Sequence, residues 1–66
     1  MDQLNRLKVV LAEKGKTNRW LATQLGVSET TVSRWVKNKQ QPPLKNLRKI
    51  ASTLEVDVKA LLLSSQ

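Results

Sequence analysis

The stretch TNRWLATQLGVSETTVSRWVKN, from Thr17 to Asn38, decides how this chain folds. Leu21 and Leu25 lie four residues apart, as apolar residues do on one face of a helix. Gly26 comes next, and glycine readily takes the left-handed conformation that often ends a helix. The stretch therefore predicts two short helices joined by a glycine-containing turn, over about Asn18–Leu25 and Ser28–Lys37. Thr17 and Ser28 are the expected N-terminal caps of these helices, and Asn38, which tolerates a left-handed turn, is expected to end the second helix.

The second of these helices has two chemically different faces. Its apolar face carries Val32, Trp35 and Val36, which predicts packing against the body of the protein. Its opposite face carries small hydrogen-bonding groups and charged groups, namely Glu29, Thr30, Ser33, Arg34 and Lys37. Since the apolar face suffices to hold the helix in place, the polar face is available for a partner.

The remainder of the 66-residue chain also has helical spacing and predicts no strand. A first helix, over about 2–14, carries the apolar stripe Leu4, Leu7 and Leu11 and ends at Gly15. A fourth helix follows a proline-containing loop and carries an apolar stripe of Leu44, Leu47, Ile50, Ala51 and Leu54. A fifth, short helix is expected over Val58–Leu62, with Asp57 as its N-terminal cap. The expected fold is all-α: five short helices around one small core, in a single domain over residues 1–66.

The composition limits the possible functions. Twelve Lys and Arg residues against five Asp and Glu residues give a net charge of +7, and residues 14–49 alone carry +8. This distribution favours a polyanionic partner, either a nucleic acid or a membrane surface. The chain has no cysteine and no histidine, which excludes disulfides and thiolate metal sites and leaves few groups for proton transfer. No signal peptide or membrane span is evident, so a cytoplasmic protein is expected.

The two central helices have the residues that a helix-turn-helix requires. Ala22 is small where the helices cross closely, Gly26 allows the turn, and the inner positions are apolar. From Thr17 to Asn38 the chain resembles the Xre/Cro-like family of prokaryotic and phage DNA-binding regulators. The segment NKQQPPLKNLRKIASTLEVDVKALL is similar to the usual end of that family, so the resemblance covers nearly the whole chain. Asn18 stands where many members have Gln, and Asn38 where most have Gly.

The resemblance implies a lambda-repressor-like domain that binds double-stranded DNA. The second helix of the motif would enter the major groove, with Glu29, Thr30, Ser33 and Arg34 as base-reading residues. The residues expected to contact the DNA backbone are Thr17, Asn18, Arg19, Ser28, Thr31, Lys37 and Lys39. The implied role is a transcriptional regulator, in the form of a repressor, that requires no cofactor.

A homodimer is expected, because the run Leu61–Leu63 is too apolar for one domain face to cover. Val58, Leu62 and Leu63 are the candidate dimer contacts, and a monomer is the alternative. A second function remains open, that of an antitoxin or a restriction–modification controller acting partly through a protein partner. An enzyme and a binder of membrane surfaces are weaker alternatives, because catalytic groups are scarce and no long amphipathic helix is present.

Overall fold

The computed structural model of the protein describes residues 4–62. These residues form four α-helices and one short 3₁₀ helix, Val58–Leu61. The α-helices are α1 (Leu7–Glu13), α2 (Asn18–Leu25), α3 (Glu29–Val36) and α4 (Leu44–Leu54). The predicted all-α fold is confirmed, and the fifth predicted helix is a 3₁₀ helix of four residues.

The start of the chain differs from the prediction. α1 begins at Leu7, and Leu4, which was assigned to its apolar stripe, is 57% exposed. The described residues before α1 form an N-terminal arm, Leu4–Arg6, in which Asn5 makes an isolated antiparallel bridge with Leu62. Residues 2 and 3 of the predicted first helix lie outside the described residues. The Asn5 side chain is buried and accepts a hydrogen bond from the backbone N–H of Leu7 at 3.0 Å. The bridge to Leu62 and the burial of the Asn5 side chain prevail over the local helical spacing.

The predicted helix caps are present. The hydroxyl of Thr17 accepts a hydrogen bond from the backbone N–H of Trp20 at the start of α2, and the hydroxyl of Ser28 accepts one from Thr31 at the start of α3. Asp57 caps the 3₁₀ helix in the same way. The turn between α2 and α3 depends on Gly26, which has a φ of 71° in the left-handed region. The turn at Gly26 and the cap at Ser28 together fix where α3 begins and therefore which of its residues face outwards.

One core joins all of the helices. Leu21, Val32, Ile50 and Leu61 are fully buried at its centre, and Ala22 is the small buried residue of α2, the helix that packs against α3. The other buried apolar residues are Leu7, Val10, Leu11, Leu25, Trp35, Ala51 and Leu54.

The predicted apolar stripe of α4 is wrong at its first position. Leu44 is 62% exposed, because it is the first residue of α4 and lies directly after the loop, beyond the reach of the core. The remaining stripe positions are buried or pack against the core. Among the helices described, none has both the length and the apolar character that crossing a membrane requires.

Candidate nucleic-acid interface

Helix α3 turns its apolar face inwards and its polar face to solvent. Val32 and Trp35 are buried in the core, and Val36 packs partly against it. Glu29, Thr30 and Arg34 are exposed on the opposite side. Because its inner face is fixed by large buried side chains, α3 presents its outer face in a defined orientation.

The four predicted base-reading residues lie together. Glu29, Thr30, Ser33 and Arg34 line one open groove of about 450 Å³, which Lys37 and Lys39 extend beyond the end of α3. We refer to these six residues as the α3 groove. It carries three basic side chains and one acidic side chain, so its net charge is positive. The arrangement combines hydrogen-bonding groups at the start of the helix with cations at its end.

The other predicted backbone contacts lie outside the α3 groove, at the starts of the two motif helices. Thr17 caps α2, whose first two residues are Asn18 and Arg19. Ser28 caps α3, and its hydroxyl lies 2.8 Å from the hydroxyl of Thr31. The cap of α2 uses one lone pair of the Thr17 hydroxyl, which can still bond a further group. At the start of α3, one of the Ser28 and Thr31 hydroxyls donates to the other, so one donor of the pair remains.

Two of the predicted dimer contacts lie within the described residues, and they differ in exposure. Val58 packs partly against the core of its own domain, so it offers only a part of its side chain to a second chain. Leu62 is 44% exposed and forms the bridge with Asn5 of the N-terminal arm. Leu63 lies outside the described residues. Leu4, which the sequence analysis assigns to an apolar helix stripe, is also exposed.

A second, smaller groove lies on another side of the domain. Its volume is about 250 Å³, and its lining includes Lys14, Lys16 and Trp20 together with the last turn of α4. Trp20 packs partly against the core, and the Nζ atom of Lys16 lies 4.6 Å from the centre of its ring. This cation–π contact uses one aromatic face, and the carboxylate of Glu55 lines the same groove, so the groove is not a purely basic patch.

The sequence analysis missed a cluster of amides at the end of α3. The side-chain oxygen of Asn38 accepts hydrogen bonds from the backbone N–H groups of Leu4 and Asn5, at 2.8 and 2.9 Å. The side-chain nitrogen of Asn5 donates to the carbonyl oxygen of Trp35 and to the side chain of Gln41. We call Asn5, Asn38 and Gln41 the amide cluster. No local pattern could reveal it, because Asn5 is 33 residues away from Asn38 and 36 residues away from Gln41.

Comparison with known proteins agrees with this geometry. A family model described as helix-turn-helix matches residues 7–61. A crystal structure titled as that of "a putative DNA-binding protein from Bacteroides fragilis" is 60% identical in sequence. The alignment covers 91% of this chain and 97% of that chain, with a TM-score of 0.89. None of the curated proteins that were compared matches the chain.

Proposed function

Because this chain belongs to the helix-turn-helix family, we propose that it binds a specific sequence of double-stranded DNA and regulates transcription there. The observation that carries the proposal is the α3 groove, in which exposed polar and basic side chains lie on a helix whose opposite face is buried. A single exposed helix fits the major groove of B-DNA, which is about 12 Å wide. The similarity to a structure titled as DNA-binding supports the same proposal.

The start and the outer face of α3 would read bases. Arg34 has the fork of donors that bonds both acceptors of guanine, and Glu29 can accept a hydrogen bond from the amino group of cytosine. Thr30 offers a methyl group to thymine or a hydroxyl to a base. Ser33 is small, so it would let the helix approach the bases closely.

The residues around α3 would hold the DNA backbone. Lys37 and Lys39 follow the recognition helix and would neutralise phosphates of one strand. Thr17, Asn18 and Arg19 stand at the start of α2, where unpaired N–H groups and the helix dipole attract a phosphate. Because one of the Ser28 and Thr31 hydroxyls donates to the other, the pair would offer one remaining donor to a phosphate while keeping the cap of α3. These contacts would fix the register but carry no sequence information.

We further propose that the protein acts as a homodimer on an inverted repeat and represses by occluding a promoter. The exposed Leu62, with Val58 and Leu63, would form the contact between the two chains. Such a dimer presents its recognition helices about 34–36 Å apart, so that they enter successive major grooves. The whole chain, residues 1–66, would then be one DNA-binding domain that works at the nucleoid in the cytoplasm, without a cofactor.

The experiment that tests this proposal is selection of bound duplexes from a randomised library at physiological salt, followed by sequencing. We expect an enriched inverted repeat, whose half-site spacing reports the dimer. The matched control is an Arg34→Ala, Thr30→Ala double variant, which should enrich no comparable motif.

Two other outcomes would count against the proposal. Binding without an enriched motif, steeply weakened by salt, would show a phosphate contribution only. Absence of binding, together with a co-purifying partner protein, would favour the antitoxin or controller function. Sedimentation of wild type and a Leu62→Lys variant tests the dimer by itself, because Leu62 lies outside the α3 groove and the variant keeps every proposed base-reading residue.

A further inference from the structure

The end of the recognition helix is closed by groups from outside the helix. The last carbonyl groups of any α-helix lack partners within it. In α3, the carbonyl oxygen of Arg34 accepts hydrogen bonds from the N–H groups of Lys39 and Gln40, at 3.0 and 3.3 Å. These bonds fold the chain back directly after the helix. The position of Lys39 in the α3 groove therefore depends on the geometry of this turn.

The N-terminal arm supplies the next part of the closure. The carbonyl oxygen of Trp35 accepts hydrogen bonds from the backbone N–H of Asn38 and from the side chain of Asn5, both at 3.0 Å. Asn5 is only 2% exposed, so its amide is bonded in an environment with little water. A residue 30 positions earlier in the chain thus fixes the last turn of α3.

Asn38 connects the turn to the arm. Its φ of 60° is a left-handed conformation that glycine adopts more easily, so the turn alone does not require an asparagine side chain. The side chain makes hydrogen bonds to both backbone groups of Asn5 and to the N–H of Leu4. It also accepts one from Gln41 at 3.2 Å. The asparagine therefore adds four long-range or medium-range bonds that a glycine would lack.

We propose that the amide cluster is a positioning device, in which Asn38 and Asn5 use the N-terminal arm to fix the end of α3 for DNA readout. The inference rests on the proposed function for its consequence in DNA binding, and on the contacts above for its structural part. Fixing both ends of α3, by Ser28 at the start and by the cluster at the end, sets the angle at which Arg34 and Lys37 leave the surface. Asn38 is thus a positioning residue that acts through its neighbours, since it does not line the α3 groove.

The test compares Asn38→Gly, which keeps the left-handed turn, with Asn38→Asp, which keeps the accepting oxygen but loses the donated bond to Asn5. Amide hydrogen exchange measured by NMR on the free protein gives the first readout. In Asn38→Gly, we expect the Lys39 and Gln40 amides to lose protection by about tenfold or more, while Val32 near the start of α3 is unchanged. Asn38→Asp keeps the bonds accepted from Leu4 and Asn5 but sets an oxygen against the carbonyl oxygen of Asn5, so protection at both amides should fall less than in Asn38→Gly.

DNA binding gives the second readout, as the ratio of affinities for the selected duplex and for a scrambled duplex. We expect Asn38→Gly to lower this ratio by roughly 3- to 30-fold, the range typical of residues that couple indirectly to a binding site. Asn38→Asp should restore most of the ratio, although its negative charge weakens binding to both duplexes. Recovery of the affinity ratio in Asn38→Asp would show that the hydrogen bonds accepted by residue 38, and not the net charge of the protein, position the end of α3.

Three results would overturn the inference. Unchanged protection of Lys39 and Gln40 in Asn38→Gly would show that the cluster does not fix the helix end. Loss of protection at Val32 as well would show a general structural role. An unchanged affinity ratio, with wild type showing clear sequence preference, would show that the fixed end has no part in readout. If wild type itself has no preference, the proposed function fails and the exchange data alone decide about the cluster.

Discussion

Replacing Arg34 by alanine separates its proposed base reading from its part in folding. Arg34 is exposed on α3, and among residues 4–62 its guanidinium has no hydrogen-bond partner. Alanine favours helix at least as well as arginine, so the free energy of unfolding should change by less than about 0.5 kcal/mol. The whole effect of Arg34→Ala should therefore appear in binding.

The magnitude follows from the contact that Arg34 is proposed to make. A bidentate bond to guanine contributes about 1–3 kcal/mol against a wrong base, so affinity for the selected duplex should fall by about 5- to 150-fold. The variant should also accept other base pairs at one position of each half-site. Fluorescence anisotropy with a set of duplexes, each changed at one base pair, measures both quantities.

Lys39→Ala is the matched control, since Lys39 lines the same groove but is proposed to contact a phosphate. Losing one phosphate contact lowers the slope of log affinity against log salt concentration by about 0.9. The loss of affinity relative to wild type should therefore be about 3.5-fold smaller at 200 mM salt than at 50 mM. Its preference among base pairs should be unchanged. If Arg34→Ala behaves like Lys39→Ala, with a changed slope and an intact preference at every position, then Arg34 contacts the backbone and the reasoning about its role is wrong.

Three further predictions concern stability, each measured by chemical denaturation followed by circular dichroism. Glu55→Gly should raise the free energy of unfolding by about 1 kcal/mol, because Glu55 ends α4 at a φ of 58° where glycine is less strained; a decrease would contradict this. Leu21→Ala should lower the free energy of unfolding by about 2–5 kcal/mol, a large part of the roughly 3–10 kcal/mol expected for so small a domain. Leu44→Ala, at an exposed position, should lower it by less than about 0.5 kcal/mol. Ser28→Ala should cost about 1 kcal/mol through the lost cap of α3, and an unchanged midpoint would show that the hydroxyl is not needed there.

The sequence predicted those parts of the fold that depend on neighbouring residues. The helices on both sides of Gly26, the caps at Thr17 and Ser28, and the left-handed turn at Asn38 follow from chemistry within a few residues. The grouping of polar residues along α3 is equally local, since helical spacing alone places them on one face. All six residues of the α3 groove are therefore among those that the sequence assigns to DNA contact, while their roles at DNA stay predictions.

The errors occur where distant parts of the chain meet. The arm from Leu4 was predicted as helix, because its leucine spacing continues that of α1. In the folded chain, Asn5 bonds to Trp35 and Gln41 and lies beside Leu62, and each of these partners is at least 30 residues away. Such long-range contacts leave no periodic signal, so they cannot be predicted from spacing. The left-handed conformation of Glu55 is a local feature that sequence reasoning misses, because it assigns this conformation to glycine or asparagine.

The distribution of hydrogen bonds around α3 bears on how its specificity can change. The side chains that fix the helix lie at its ends and on its inner face: Ser28, Asn38 and the buried Trp35. The outer face is occupied by exposed groups such as Thr30 and Arg34, which are not needed to hold the helix in the domain. Because the two sets do not overlap, substitutions on the outer face should alter base preference at little cost in stability. Substitutions in the amide cluster should instead change the orientation of these same side chains. The two kinds of variant should therefore differ in the free protein, where only variants of the cluster change amide exchange at the end of α3.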